Sequence, residues 1–246
     1  MSALEGFFPA PPRTVSSAAP TQAVLEAHHL AKNFGASRAL SDASLTLNVG
    51  EIVAVMGPSG SGKSTLLHCA AGILRPDAGE VFYGGVDLTR LSAERLSALR
   101  RTEFGFVFQF GQLVPELSAI ENVALPLILG GSKRRAALAA AEPWLVRLGI
   151  EDLGGRRPGE LSGGQAQRVA VARALITHPS VVFADEPTGA LDMAAGIGVM
   201  EALIELSREL GAAVVIVTHE AQVAAYADRL VTMRDGRTDP AAVGEC

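Results

Sequence analysis

The chain reads as an α/β protein, a mostly parallel sheet wound with helices around a glycine-rich loop. Three observations carry that reading. Residues 57–65 (Gly57, Pro58, Ser59, Gly60, Ser61, Gly62, Lys63, Ser64 and Thr65) satisfy the pattern G-x-x-x-x-G-K-[ST], between an apolar run and a helical one. Residues 181–186 form a second apolar run that ends on two carboxylates, Asp185 and Glu186. Residues 213–217 form a third, followed by Thr218, His219 and Glu220. Short continuous apolar runs separated by amphipathic stretches mark strands covered on both faces.

A chain of 246 residues is long enough for a sizeable core and a subdomain beside it. Its composition, 48% hydrophobic and 19% charged, is that of an aliphatic-rich soluble protein, and a formal charge of −5 argues against a nucleic-acid partner. Two cysteines, Cys69 and Cys246, make no disulfide framework and fit a reducing cytoplasm. No stretch approaches the roughly 20 apolar residues of a membrane-spanning helix. The first residues are not expected to be a signal peptide.

Residues 1–22 set Phe7 and Phe8 before Pro9, Pro11, Pro12 and Pro20, a composition that reads as a disordered extension. A first strand is expected over 23–29. In a second, Ala43, Leu45 and Leu47 alternate with Ser44, Thr46 and Asn48, as a half-buried antiparallel strand does. Between them Phe34 stands among polar neighbours: its ring either stacks on an adenine or belongs to the core. Residues 51–56 form the buried strand ahead of the loop, and 65–74 the helix behind it. Glycines let backbone N–H groups turn inward around phosphate oxygens, and the helix N-terminus reinforces that cradle. Lys63 would reach the β- and γ-phosphates, and the Ser64 hydroxyl would ligate Mg²⁺.

Residues 79–83 with Gly84 and Gly85 give a strand and hairpin turn, 91–101 an amphipathic helix, and 105–109 a strand ending on Gln109. An amide beside a phosphate site can sense Mg²⁺ or a water; the plain alternative is a surface glutamine. From 118 to 178 the pattern is mainly helical. Leu138, Ala141, Leu145 and Leu148 share a face, and Pro143, unable to bond back to the Ala139 carbonyl, predicts a kink or a restart. Ser162 reads as an N-cap before Val169, Ala172, Leu175 and Ile176, and the glycines beside it open a second candidate phosphate site.

The strand over 181–186 sets Asp185 at its carboxyl end, where doubly wound sheets bind ligands. Asp185 would hold Mg²⁺ through water, and Glu186 would polarise an attacking water. An amphipathic helix follows, with Val199, Leu203, Leu206 and Leu210 on one face. His219, at the end of the next strand, either reaches the γ-phosphate or is structural. Residues 229–234 make the last strand, closed by Asp235 and Gly236.

The loop at 57–65, Gln109, the run Leu161-Ser-Gly-Gly-Gln165, the pair Asp185-Glu186, Ala190-Leu-Asp192 and His219 stand in one order. Over about residues 24–237 that order resembles the nucleotide-binding subunits of ATP-binding cassette (ABC) transporters. The resemblance implies an ATPase using ATP and Mg²⁺. It implies one domain over 23–238, with an antiparallel β subdomain near the N-terminus and a helical insertion at about 112–177, then a short tail at 239–246.

Carried over by residue, Phe34 matches the adenine-stacking aromatic, and Gly57 to Thr65 match the Walker A loop. Gln109 matches the Q-loop glutamine, which also ligates the metal. Ser162, Gly163, Gly164 and Gln165 fall in the signature, Asp185 on the Walker B aspartate, Glu186 on the catalytic glutamate, Asp192 in the D-loop and His219 on the switch histidine. Gly189 departs from a frequent serine, and Glu220 from a frequent aspartate.

The segments 105–117 and 121–126 are similar to the branch of macrolide exporters, lipoprotein-release ATPases, bacitracin-type peptide exporters and the cell-division ATPase. That branch implies transmembrane permease subunits as separate chains and a place on the cytoplasmic face of the membrane. It also implies an ATP-dependent head-to-tail homodimer, in which Ser162, Gly163 and Gly164 of one copy cover the γ-phosphate on the other. A second reading is an ATPase that gates an extracytoplasmic cell-wall enzyme through its membrane partner. A third, a soluble ABC ATPase on DNA or ribosomes, is opposed by the low basicity and the single cassette in the chain.

Overall fold

The computed structural model describes residues 22–239, so the expected disordered extension up to residue 21 and the expected tail beyond residue 239 lie outside the described residues, while Asp239 belongs to a strand rather than to the tail. The core is a run of short strands: β3 (Ile52–Met56), β6 (Phe104–Phe108), β7 (Val181–Asp185), β8 (Ala213–Thr218) and β9 (Arg229–Arg234). They lie parallel in the order β9-β3-β8-β7-β6. Successive side chains of a strand point to opposite faces. Accordingly Ile52, Ala54, Val182, Ala184, Val214 and Ile216 enter one apolar cluster, and Val53, Val55, Val181, Phe183, Val215 and Val217 enter another. Both faces of β3, β7 and β8 are dry, which is why those three strands read as apolar runs.

The second cluster is closed by an antiparallel layer. β1 (Ala23–Phe34) pairs with β2 (Ser37–Asn48) from Ala23↔Asn48 to Phe34↔Ser37, and with β4 (Ala78–Tyr83), which turns into β5 (Val86–Asp87). β1 is five residues longer than expected (ending at 34 rather than 29). Its polar end is held from outside the strand: Lys32 donates to Asp77 at 2.8 Å, and so does the Asn33 N–H at 2.7 Å.

β9 is not the last strand. Asp235 and Gly236 both take positive φ (51° and 73°), and the chain returns as β10 (Arg237–Asp239), antiparallel to β9. An Asp-Gly pair is a strong two-residue hairpin signal. β10 also pairs with β2 in parallel at Arg237↔Asp42, which joins the two layers into one sheet of ten strands among the described residues.

Helix α1 (Lys63–Ala70) stops four residues before the expected end at 74. Gly72 takes a φ of 62°, its N–H donates to Cys69 and that of Ile73 to His68, the paired bonds of a left-handed helix stop. Then come α2 (Ala93–Thr102), α3 (Ala119–Leu129), α4 (Arg134–Arg147), α5 (Gly163–Leu175), α6 (Met193–Leu210) and α7 (Ala221–Ala224). Pro143 causes no restart: α4 runs through it. Ala137, Ala141, Trp144 and Leu145 are buried around it, and that packing outweighs one lost backbone bond.

Candidate active site

Parallel register brings the candidate residues together. Met56 pairs with Thr218, Val217 with Asp185, and Asp185 with Phe108. The carboxyl ends of β3, β8, β7 and β6 are therefore level, and Gly57, His219, Glu186 and Gln109 leave the sheet side by side. Three strand spacings separate the outer two, about 14 Å.

The loop after β3 is pressed against its neighbours. A Cβ on Gly57 would lie 2.1 Å from the Met233 carbonyl oxygen, and one on Gly62 (φ 101°) would lie 2.3 Å from that of Ala39. Only glycine fits either place. Lys63 is buried at 5% exposure, and its Nζ donates to the carbonyls of Gly57 and Pro58, both at 2.9 Å. The first turn of α1 has no acidic residue to balance the helix N-terminus. Ser61 Oγ is buried with no hydrogen-bond partner. A buried ammonium facing carbonyls, an uncompensated helix start and an orphaned hydroxyl fit a polyphosphate.

Ser64 Oγ donates to Asp185 Oδ1 at 2.8 Å, and His68 Nε2 stands 3.7 Å from Oδ2. Burial raises the Asp185 pKa, against which the Ser64 hydrogen bond and the His68 charge work. Hydroxyl and carboxylate oxygens together suit a hard divalent cation. Mg²⁺ sites commonly take one or two protein oxygens, with phosphate and water completing the shell.

Glu186 has a φ of 46°, costly for a non-glycine residue, and its N–H donates to the Val217 carbonyl at 2.9 Å. Its Oε1 lies 3.2 Å from His219 Nδ1. A Cβ added to Gly189 would meet Gln109 Nε2 at 2.9 Å and Glu186 Oε2 at 3.2 Å, so the amide and the carboxylate flank that glycine. Glu220 accepts from Thr188 Oγ1 at 3.5 Å beside it. A part-buried carboxylate oriented by an imidazole is equipped to accept a proton from water.

Phe34 is 51% exposed at the end of β1, with Lys32 Nζ 5.9 Å from the ring centroid. That exposure overturns the core alternative. The remaining candidates start helices. Ser162 caps α5 in a reciprocal box: Gln165 N–H donates to Ser162 Oγ at 3.3 Å, and Ser162 N–H to Gln165 Oε1 at 2.9 Å. Gly163 and Gly164 follow in the first turn, close enough to Leu191 and Ala195 that added Cβ atoms would crowd them. Asp192 caps α6 by accepting from Ala195 N–H at 2.9 Å.

Two residues at the site escaped the sequence reading. His68 lies one helical turn after Ser64, a spacing that shares a face. Gln167 is a polar residue inside the buried stripe of α5, and that break in periodicity was the available signal.

A family model described as ABC transporter matches residues 40–189. The chain is 50% identical over 198 residues to the macrolide export ATP-binding/permease protein MacB of Rhodopseudomonas palustris, covering 80% of this chain and 30% of that longer one. It is 47% identical over 224 residues to the lipoprotein-releasing system ATP-binding protein LolD of Bordetella pertussis, covering 89% and 97% of the two chains. Among solved structures it resembles the ATP-binding cassette MJ0796 in a dimeric post-hydrolysis state with ADP and Pi. There the TM-score is 0.80 at 38% identity, over 87% of this chain and 96% of that one.

Proposed function

The chain belongs to the ABC transporter family as an ATP-binding, ATP-hydrolysing subunit, and from that premise we propose that it drives a separate membrane permease of the macrolide-export or lipoprotein-release type. The observation that carries the proposal is the level sheet edge where Lys63, Ser64, Asp185, Glu186, Gln109 and His219 converge. Lys63 and the N–H groups of residues 57–65 hold the β- and γ-phosphates, and Phe34 stacks on the adenine. Ser64, Asp185 and Gln109 would hold Mg²⁺, which would supply positive charge against that of the phosphates. Glu186 takes the proton of the attacking water while His219 fixes its carboxylate. Ser162, Gly163, Gly164, Gln165 and Asp192 complete the site of a second copy.

The match to nearly the full length of a lipoprotein-releasing subunit supports a permease carried on another chain and favours a lipid-linked cargo. Among the described residues no helix is long and apolar enough to cross a membrane, which supports attachment through the permease. A cavity of about 540 Å³ between α2, β6 and α3 offers a surface for it, lined by Phe106, Phe108, Leu125 and Arg173. Leu129, 60% exposed, lines it, and Phe110, 74% exposed, directly follows Gln109 in the chain. Exposed apolar side chains clustered beside Gln109 suit a partner that must feel the nucleotide.

The test is a tagged chain purified from detergent-solubilised membranes. The expected result is an integral membrane protein co-purifying with it, lost in Leu129→Asp. Lys63→Ala should keep the fold and lower ATPase at least about 100-fold. Normal ATPase in Lys63→Ala, or no membrane protein bound to the wild-type chain, would sink the proposal.

A further inference from the structure

Gln167 takes part in no step of the chemistry set out above, yet it is only 2% exposed and its carboxamide bridges both catalytic loops. Nε2 donates one hydrogen to the Phe108 carbonyl at 2.8 Å and the other to the Pro187 carbonyl at 2.7 Å. Phe108 immediately precedes Gln109, and Pro187 immediately follows Glu186. Two carbonyl acceptors require the nitrogen end of the amide there. The oxygen end lies toward Gly111, where an added Cβ would come within 3.3 Å of it.

A second side chain of α5 does similar work. The Arg173 guanidinium donates to the carbonyls of Gly111 at 2.6 Å and Gln112 at 2.8 Å. The loops so held carry non-glycine residues in the left-handed region, Gln112 and Glu186, both at a φ of 46°. Such conformations persist only where the surroundings enforce them. The helix supplying these donors begins at Ser162, five residues before Gln167.

Resting on the roles proposed above for Gln109 and Glu186, we infer that Gln167 is a positioning residue: its amide sets the separation of those two groups and ties both to the helix that starts at Ser162. Removing the amide leaves the phosphate-binding loop untouched and lets the Phe108–Gln109 and Glu186–Pro187 segments relax apart. The loss falls on turnover, because a proton acceptor displaced by a fraction of an ångström still binds substrate but no longer meets the water.

The test uses the full chain with Gln167→Met, matched in length but without donors. Leu148→Ala serves as a comparison, since it removes a buried apolar side chain at the end of α4. The expected result for Gln167→Met is a kcat lowered about tenfold or more, with KM and the affinity for a fluorescent ATP analogue within about twofold of wild type. Leu148→Ala should lose thermal stability while keeping kcat within about twofold at a temperature well below its unfolding.

A kcat within twofold of wild type in Gln167→Met overturns the inference. So does a fall in kcat accompanied by an equal loss of nucleotide affinity, which would mark a merely structural glutamine. If the methionine variant does not fold, Gln167→Asn, too short to span both carbonyls, is read by the same split. Lys63→Ala, assayed alongside, separates the two levels. If it stays active, the site assignment itself fails; if it is dead while Gln167→Met is normal, only the positioning role fails.

Discussion

Phe34 shows how much a single side chain can depend on where its strand ends. β1 carries the ring past the last buried residue of the layer, and half of its surface lies open beside Lys32. A ring so placed contributes little to the core and is exposed enough to stack on a base. Phe34→Ala should therefore weaken ATP binding by about 1–2 kcal/mol, while Phe34→Tyr retains it. Isothermal titration beside a nucleotide-free melt checks this. An alanine variant that binds ATP normally but melts earlier would show the ring working in the fold instead.

Helix α5 joins the two ends of the site. Its first turn is a capping box with no acidic side chain, and its later turns bury Val169, Val171, Ala172 and Leu175 against the sheet. The reciprocal bonds between Ser162 and Gln165 satisfy two N–H groups that would otherwise be unpaired at the helix start. Ser162→Ala removes one of them, at a cost of about 1 kcal/mol. In a domain of this size that lowers the melting temperature by roughly 2–4 °C. Differential scanning calorimetry without nucleotide measures it. An unchanged melt would show that the exposed first turn is held by its packing on Leu191 and Ala195, not by its cap.

At the scale of the whole molecule the site is unevenly charged. Lys63 and the start of α1 concentrate positive charge, and the start of α5 presents Ser162 and Gly163 exposed on the same chain. Donors at two helix starts, one from each copy, can share a γ-phosphate that neither balances alone. Glu186→Gln keeps shape and removes the proton acceptor, so hydrolysis should fall by about two orders of magnitude or more while ATP stays bound. The isolated variant should then shift from monomer to dimer when ATP is added. Size-exclusion chromatography with light scattering reads the shift, and adding Ser162→Arg should abolish it. An ATP-dependent dimer that survives the arginine would mean that α5 does not complete its neighbour's site.

The sequence alone was enough to place the core strands, because a strand dry on both faces must be apolar along its buried length, and residues 52–56, 181–184 and 213–217 are. It also located the glycine loop, since G-x-x-x-x-G-K-[ST] between a strand and a helix leaves few other roles. Local patterns record how buried a segment is, but they do not record its neighbours. That Ser64 meets Asp185 across 121 positions, and His219 meets Glu186 across 33, follows from strand order and register, which only the assembled sheet decides. The same holds for Phe34, whose exposure depends on where β1 and β2 stop, and for Pro143, which packing carries inside a continuous helix. It holds most for Gln167. A buried amide looks in sequence like a fault in an apolar stripe, and only the positions of two distant carbonyls show what it bonds.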